Sequence, residues 1–143
     1  MIQIRFLNFR RFPDDFWQGK ELNSVTEKLC VDLSPRSVRL LCLREALDRP
    51  QLLSTNRHFT QGTAAVKTIE WEESKGRLQG ECQTIKAFPL LLFLHVPHTF
   101  VPTSHSENIS CSAEGTLMTV GMENGSGTPE PWWIDFEGGG NRP

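Results

Sequence analysis

The sequence predicts an all-β fold, an antiparallel two-sheet β-sandwich of about eight strands. Three observations carry this expectation. Apolar and polar residues alternate with period two in several short runs, as in Leu29, Val31 and Leu33 against Lys28, Cys30 and Asp32. Turn-forming residues separate those runs at short intervals. Helical periodicity is confined to residues 43–47, too short for a stable helix.

Taken in order, Ile2, Ile4 and Phe6 alternate with polar partners, and residues 28–33 form the next alternating run. Residues 38–43 are apolar on both faces, the composition expected of a central sandwich strand. Pro50 breaks the chain before Gln51, Leu52 and Leu53. Ala65, Ile69 and Trp71 share one face of a strand over residues 63–71, with Glu70 on the other. Glu73, Ser74, Lys75 and Gly76 then read as a hairpin turn, Gly76 taking the positive φ that closes it. Residues 77–84 return beside the preceding strand, and residues 90–96 read as fully buried. Strands at 109–111, 117–120 and 132–136 complete the set, with a Gly/Ser/Pro loop at 121–131. A single domain over residues 1–137 and a flexible tail at 138–143 are expected.

The chain has 143 residues and a mass of 16.2 kDa, enough for one domain with a real core. Fifteen basic residues against seventeen acidic ones give a formal charge of −2, so no basic excess points to nucleic acid. The longest apolar run, residues 87–96, is interrupted by Pro89 and is far shorter than the roughly 20 residues a membrane helix needs. The first twelve residues, MIQIRFLNFRRF, lack the continuous apolar stretch of a secretory signal. That leaves the compartment open, with the cytoplasm as the default expectation.

Cys30, Cys42, Cys82 and Cys111 are widely spaced, with no CxxC pair, and are read as thiols. Alternation places Cys30 opposite in facing to Leu29 and Val31, so it is expected to point outward. His95, His98 and His105 followed by Cys111 offer zinc-ligand types, but their spacing fits no recognised site. His58 near Ser54 and Thr60 offers a base and hydroxyls without an orienting acid or a nucleophile elbow. No metal or cofactor is expected.

Several pieces follow one another along the chain: Asp15-Phe16-Trp17 with Gln18-Gly19-Lys20, Ser34-Pro35-Arg36-Ser37-Val38-Arg39-Leu40-Leu41, and Asp48-Arg49-Pro50-Gln51-Leu52-Leu53. Asn56-Arg57-His58 and Gln61-Gly62 come next, then His95-Val96-Pro97 and Trp132-Trp133-Ile134-Asp135-Phe136. In that order they resemble the C-terminal β-sandwich that follows the catalytic barrel in α-galactosidase-like glycoside hydrolases. Residues 1–13, Ala87-Phe88-Pro89 and the 121–131 loop depart from the pattern. A (β/α)8 barrel needs roughly 250 residues, so the resemblance implies an ancillary module without the catalytic aspartates, which the family carries on the barrel.

Within this chain the candidate carboxylate pairs are Asp14/Asp15, Glu72/Glu73 and Asp135/Glu137. A retaining glycosidase needs two such groups about 5–5.5 Å apart. The first two pairs are neighbours in turns, where side chains diverge. The third is two residues apart on one strand and could share a face.

Two surfaces carry functional expectations. Alternation turns Trp133 and Asp135 away from Trp132, Ile134 and Phe136. An outward indole beside a carboxylate, with Trp17 as a second ring, has the composition of a sugar-stacking platform. The other reading packs Trp133 under the 121–131 loop or against a partner domain. The loop of Asn56, Arg57, His58, Thr60 and Gln61 either hydrogen-bonds its own backbone or docks a neighbouring barrel domain.

The expected function is a non-catalytic ancillary module with a structural or domain-docking role, with a (β/α)8 glycosidase barrel as partner. It would leave an apolar patch exposed around Trp17, Phe59 or Trp133. The alternative is a stand-alone carbohydrate-binding module with Trp133 or Trp17 at the floor of a shallow groove. Neither involves nucleic acid or a membrane.

Overall fold

In a computed structural model of the chain, residues 2–5, 11–15, 20–21, 28–38, 41–57, 65–123, 125 and 127–139 are described. They contain thirteen strands and no helix, more strands than the expected eight. The chain divides into two compact units, Met1–Leu47 and Asp48–Pro143.

In the first unit, β1 (Ile2–Arg5) pairs antiparallel with β4 (Lys28–Val31). Separately, β2 (Arg11–Asp15) lies between β3 (Lys20–Glu21) and β5 (Leu41–Glu45). Leu29 and Val31 are buried and Cys30 is exposed, as the alternation required. Ser34 to Ser37 form a tight turn closed by the Ser37 N–H and hydroxyl, both donating to the Ser34 carbonyl. Arg36 takes a φ of 59° there, and Pro35 before it supplies the fixed φ of a type II turn.

Of the described residues among 38–43, expected as a central sandwich strand, none joins the sandwich sheets. Val38 is 78% exposed, and β5 runs instead from Leu41 to Glu45, into the first three of the residues read as helix-like. Its apolar run reflects a place in the three-stranded sheet of the first unit.

The second unit holds the sandwich. One sheet has the order β10-β13-β8-β7, built from β7 (Val66–Glu72), β8 (Arg77–Gln83), β10 (Phe100–His105) and β13 (Pro129–Gly138). The other has the order β11-β12-β9-β6, from β6 (Gln51–Thr55), β9 (Leu90–His95), β11 (Ile109–Glu114) and β12 (Leu117–Met122). All pairings are antiparallel. Two hairpins, β7–β8 and β11–β12, stay within a sheet, and Gly76 at the first has a φ of 63°. The segments after β6, β8, β9, β10 and β12 each cross to the other sheet.

The core is where the inner faces meet. Leu78, Cys82, Trp132, Ile134 and Phe136 from one sheet pack with Leu90, Leu92, Leu94, Met118, Val120 and Met122 from the other. Burying such side chains stabilises by about 1.5–3 kcal/mol apiece. Trp71, Phe100 and Phe136 close one side of this core, Trp71 and Phe100 meeting edge to face at 5.6 Å.

The strand β10 did not show in the sequence pattern, because Pro102 interrupts it and the register slips between Pro102 and Ser104. Register also slips in β7 between Val66 and Thr68, and in β6 between Leu52 and Ser54. The β11–β12 pairing shows no slip over its six residue pairs.

Candidate functional site

The outward face of the β10-β13-β8-β7 sheet carries the candidate site. On β13 the alternation buries Trp132, Ile134 and Phe136 and leaves Trp133 and Asp135 half-buried on the opposite face. Strand register then decides their neighbours. Asp135 lies between Ser104 on β10 and Arg77 on β8, and Arg77 in turn faces Glu72 on β7. One step along, Trp133 faces Gln79, which faces Glu70.

Arg77 binds Asp135 through two parallel hydrogen bonds, Nε to Oδ1 at 2.6 Å and Nη2 to Oδ2 at 2.9 Å. The Ser104 hydroxyl donates to Oδ2 at 3.2 Å. The same guanidinium lies 4.2 Å from the centre of the Trp133 ring, a cation–π contact. Ser106 fixes the Trp133 backbone from both sides, its N–H donating to the Trp133 carbonyl and its hydroxyl accepting from the Trp133 N–H.

Hydrogen bonds from Arg77, aided by its charge and by Ser104, hold the Asp135 carboxyl below its usual pKa, while partial burial opposes this. The Arg77 guanidinium is held above its usual value, first by its hydrogen bonds to Asp135. A carboxylate held ionised in this way is poorly suited to donate a proton.

The remaining carboxylate candidates are dispersed. Glu72 pairs with Lys75 at 2.9 Å, and Glu73 accepts from the Trp71 indole N–H. Asp14 and Asp15 stand in β2, and their side chains lie outside the described residues.

The polar loop divides in two. Asn56 extends the sheet with its side chain, accepting from the Leu91 N–H at 2.9 Å and donating to the Pro89 carbonyl at 3.1 Å. Arg57 donates to the Phe88 carbonyl, and its own N–H is received by the Thr55 hydroxyl. These two residues brace their own sandwich. His58, Thr60 and Gln61 lie outside the described residues, as do Trp17 and Phe59.

What Asn56 and Arg57 hold is a turn. Ile85 and Phe88 form an isolated bridge around Lys86 and Ala87, and both apolar side chains are exposed. Ala87 takes a φ of 66°, a conformation that favours glycine. Among the described residues no three His, Cys, Asp or Glu side chains gather to hold a metal ion, and no helix is long and apolar enough to cross a membrane.

Sequence reasoning missed Arg77 and Ser104 as partners of Asp135. Each is a long way off in the chain, 58 and 31 residues, and no local pattern reports such pairings. No protein-family model, curated protein or solved structure matches the chain.

Proposed function

We propose that the chain is a non-catalytic ancillary β-sandwich module, related to the C-terminal domain of α-galactosidase-like glycoside hydrolases, that docks a (β/α)8 barrel domain through the outward face of the β10-β13-β8-β7 sheet. The observation that carries this reading is the Arg77, Trp133, Asp135 and Ser104 row. Its planar groups are locked by mutual contacts before any partner arrives, which lowers the entropy cost of forming an interface. Trp and Arg are also the side chains that most often anchor such contacts. The Asn56 and Arg57 groups serve their own sandwich, which favours the Trp133 face over that loop as the contact.

The test is titration of the folded chain into a separately produced α-galactosidase barrel, followed by calorimetry. Saturable binding weakened tenfold or more by Trp133→Ala is expected. No heat at 100 µM barrel, or equal binding by the variant, overturns the docking role. The same preparation should leave chromogenic α-galactosides intact, and turnover that scales with the chain would make it an enzyme.

The carbohydrate-binding alternative draws on the half-buried Trp133 beside Asp135. Arg77 already occupies one indole face at 4.2 Å and takes up the carboxylate, which leaves less of the platform to a sugar. A saturable change in intrinsic fluorescence on adding galactosides would favour this alternative.

A further inference from the structure

The four edges of the sandwich differ in how they are protected. An edge strand presents unpaired N–H and C=O groups, and proteins blunt such edges with proline, charge, bulges or cover. Here β10 has Pro102 and a bulge, β7 has a bulge with Lys67, Glu70 and Glu72, and β6 has a bulge with Gln51, Ser54 and Thr55 buried. The edge strand β11, Ile-Ser-Cys-Ser-Ala-Glu, has no proline and no bulge, and its one charge, Glu114, stands at the hairpin end. Ser110, Ser112, Ala113 and Glu114 are exposed along it.

The hairpin geometry shows which groups point outward. Glu114 faces Leu117 across Gly115 and Thr116, and Gly115 has a φ of 61°, so a two-residue loop closes the pair. The closing pair of such a loop is hydrogen-bonded, and the pattern alternates from there. Ser110, Ser112 and Glu114 therefore bond to β12, and the N–H and C=O of Cys111 and Ala113 face away from it. Ile109 follows the same alternation, since its N–H reaches the Ser106 carbonyl rather than β12.

We propose that β11 pairs antiparallel with β11 of a second copy, about a two-fold axis at Ser112, joining two four-stranded sheets into one. The strand is complementary to itself in that register. Cys111 lies opposite Ala113 of the second copy, so the outward backbone groups of both exchange hydrogen bonds. Ser110 lies opposite Glu114 of the second copy, hydroxyl to carboxylate, on both sides of the axis. Ser112 meets its own counterpart in a non-hydrogen-bonded pair, with Cα atoms about 4.5 Å apart and small side chains that do not clash. Moving the axis to Cys111 would call on the Ile109 N–H, already bonded within its own chain. This pairing is independent of the docking face on the other sheet.

Sedimentation equilibrium between about 10 and 500 µM, with crosslinking, tests the proposal. A reversible monomer–dimer equilibrium is expected. In a Cys30→Ser background, Ser112→Cys should form a reducible dimer joined at position 112, since about 4.5 Å suits a disulfide. Ser110→Cys, facing Glu114, should crosslink far less. Ala113→Pro removes only an outward N–H, so it should weaken dimerisation at least tenfold while leaving circular dichroism unchanged. Ser112→Lys, at an exposed position, should do the same by placing two ammonium groups at the axis. A monomer at every concentration, a dimer unaffected by Ser112→Lys, or equal crosslinking at 110 and 112 overturns the proposal.

Discussion

Arg77 and Asp135 face each other across β8 and β13 in a two-pronged ion pair, with both side chains one quarter exposed. Exposed ion pairs contribute about 0–1 kcal/mol, and a bidentate geometry favours the upper end. Asp135→Asn should therefore lower stability by about 1 kcal/mol at pH 7. The Asp135 pKa is lowered in the folded state, so its contribution is present above the unfolded value of about 3.9. It is lost as pH falls through the lower folded value. Urea midpoints of the two proteins should differ at pH 7 and converge below about pH 4, and a constant gap down to pH 2 would contradict the assignment.

The Asn56 side chain replaces two backbone partners at the end of β6. Asn56→Ala leaves the Leu91 N–H and the Pro89 carbonyl without it, a loss of about 1–2 kcal/mol at this exposed position. Asn56→Asp keeps the acceptor and discards the donor, so its unfolding midpoint should fall between the other two.

Cys82 receives the Trp132 indole N–H at 3.2 Å inside the core. Burial pushes its thiol up to about 11, against a smaller downward pull from Trp132. At pH 8 a thiol-specific reagent should label the exposed Cys30 rapidly and Cys82 only on unfolding. Labelling of both at the same rate in the folded chain would sink this account.

Two backbone positions should respond in opposite directions. Ala87 sits at a φ of 66°, where an L residue costs about 1–2 kcal/mol. Part of that gain is offset by the freer unfolded chain, so Ala87→Gly should stabilise by about 0.5 kcal/mol in thermal melts. A Cβ added at Gly80 would stand 2.3 Å from the Thr68 carbonyl oxygen. Gly80→Ala must push β7 from β8 and should destabilise by about 2 kcal/mol or more.

What could be read from the sequence was what short-range alternation encodes. The facing of Trp132 against Trp133, and of Cys30 against Leu29 and Val31, follows from period two alone and agrees with the burial. The turn at Gly76 was equally local. Residues 38–43 misled because an apolar run does not say which sheet it joins. Strand β10 escaped notice because Pro102 and five exposed residues erase its alternation. The partners of Asp135 depend on pairings between distant strands, which neither propensity nor spacing records.

The position of β13 has a kinetic consequence. It lies between β10 and β8, yet follows both in the chain, and its Trp132 meets a cysteine fifty residues earlier. The second sheet, by contrast, can assemble from β6, β9, β11 and β12 before β13 is synthesised. Its leucine-rich inner face then waits without Trp132, Ile134 and Phe136, the residues of the strand that completes the opposite sheet. Pairings of such long loop closure are slow, and the interval is when the chain is most prone to aggregate. Truncation before Pro129 would remove the middle of a sheet and leave that interval without an end.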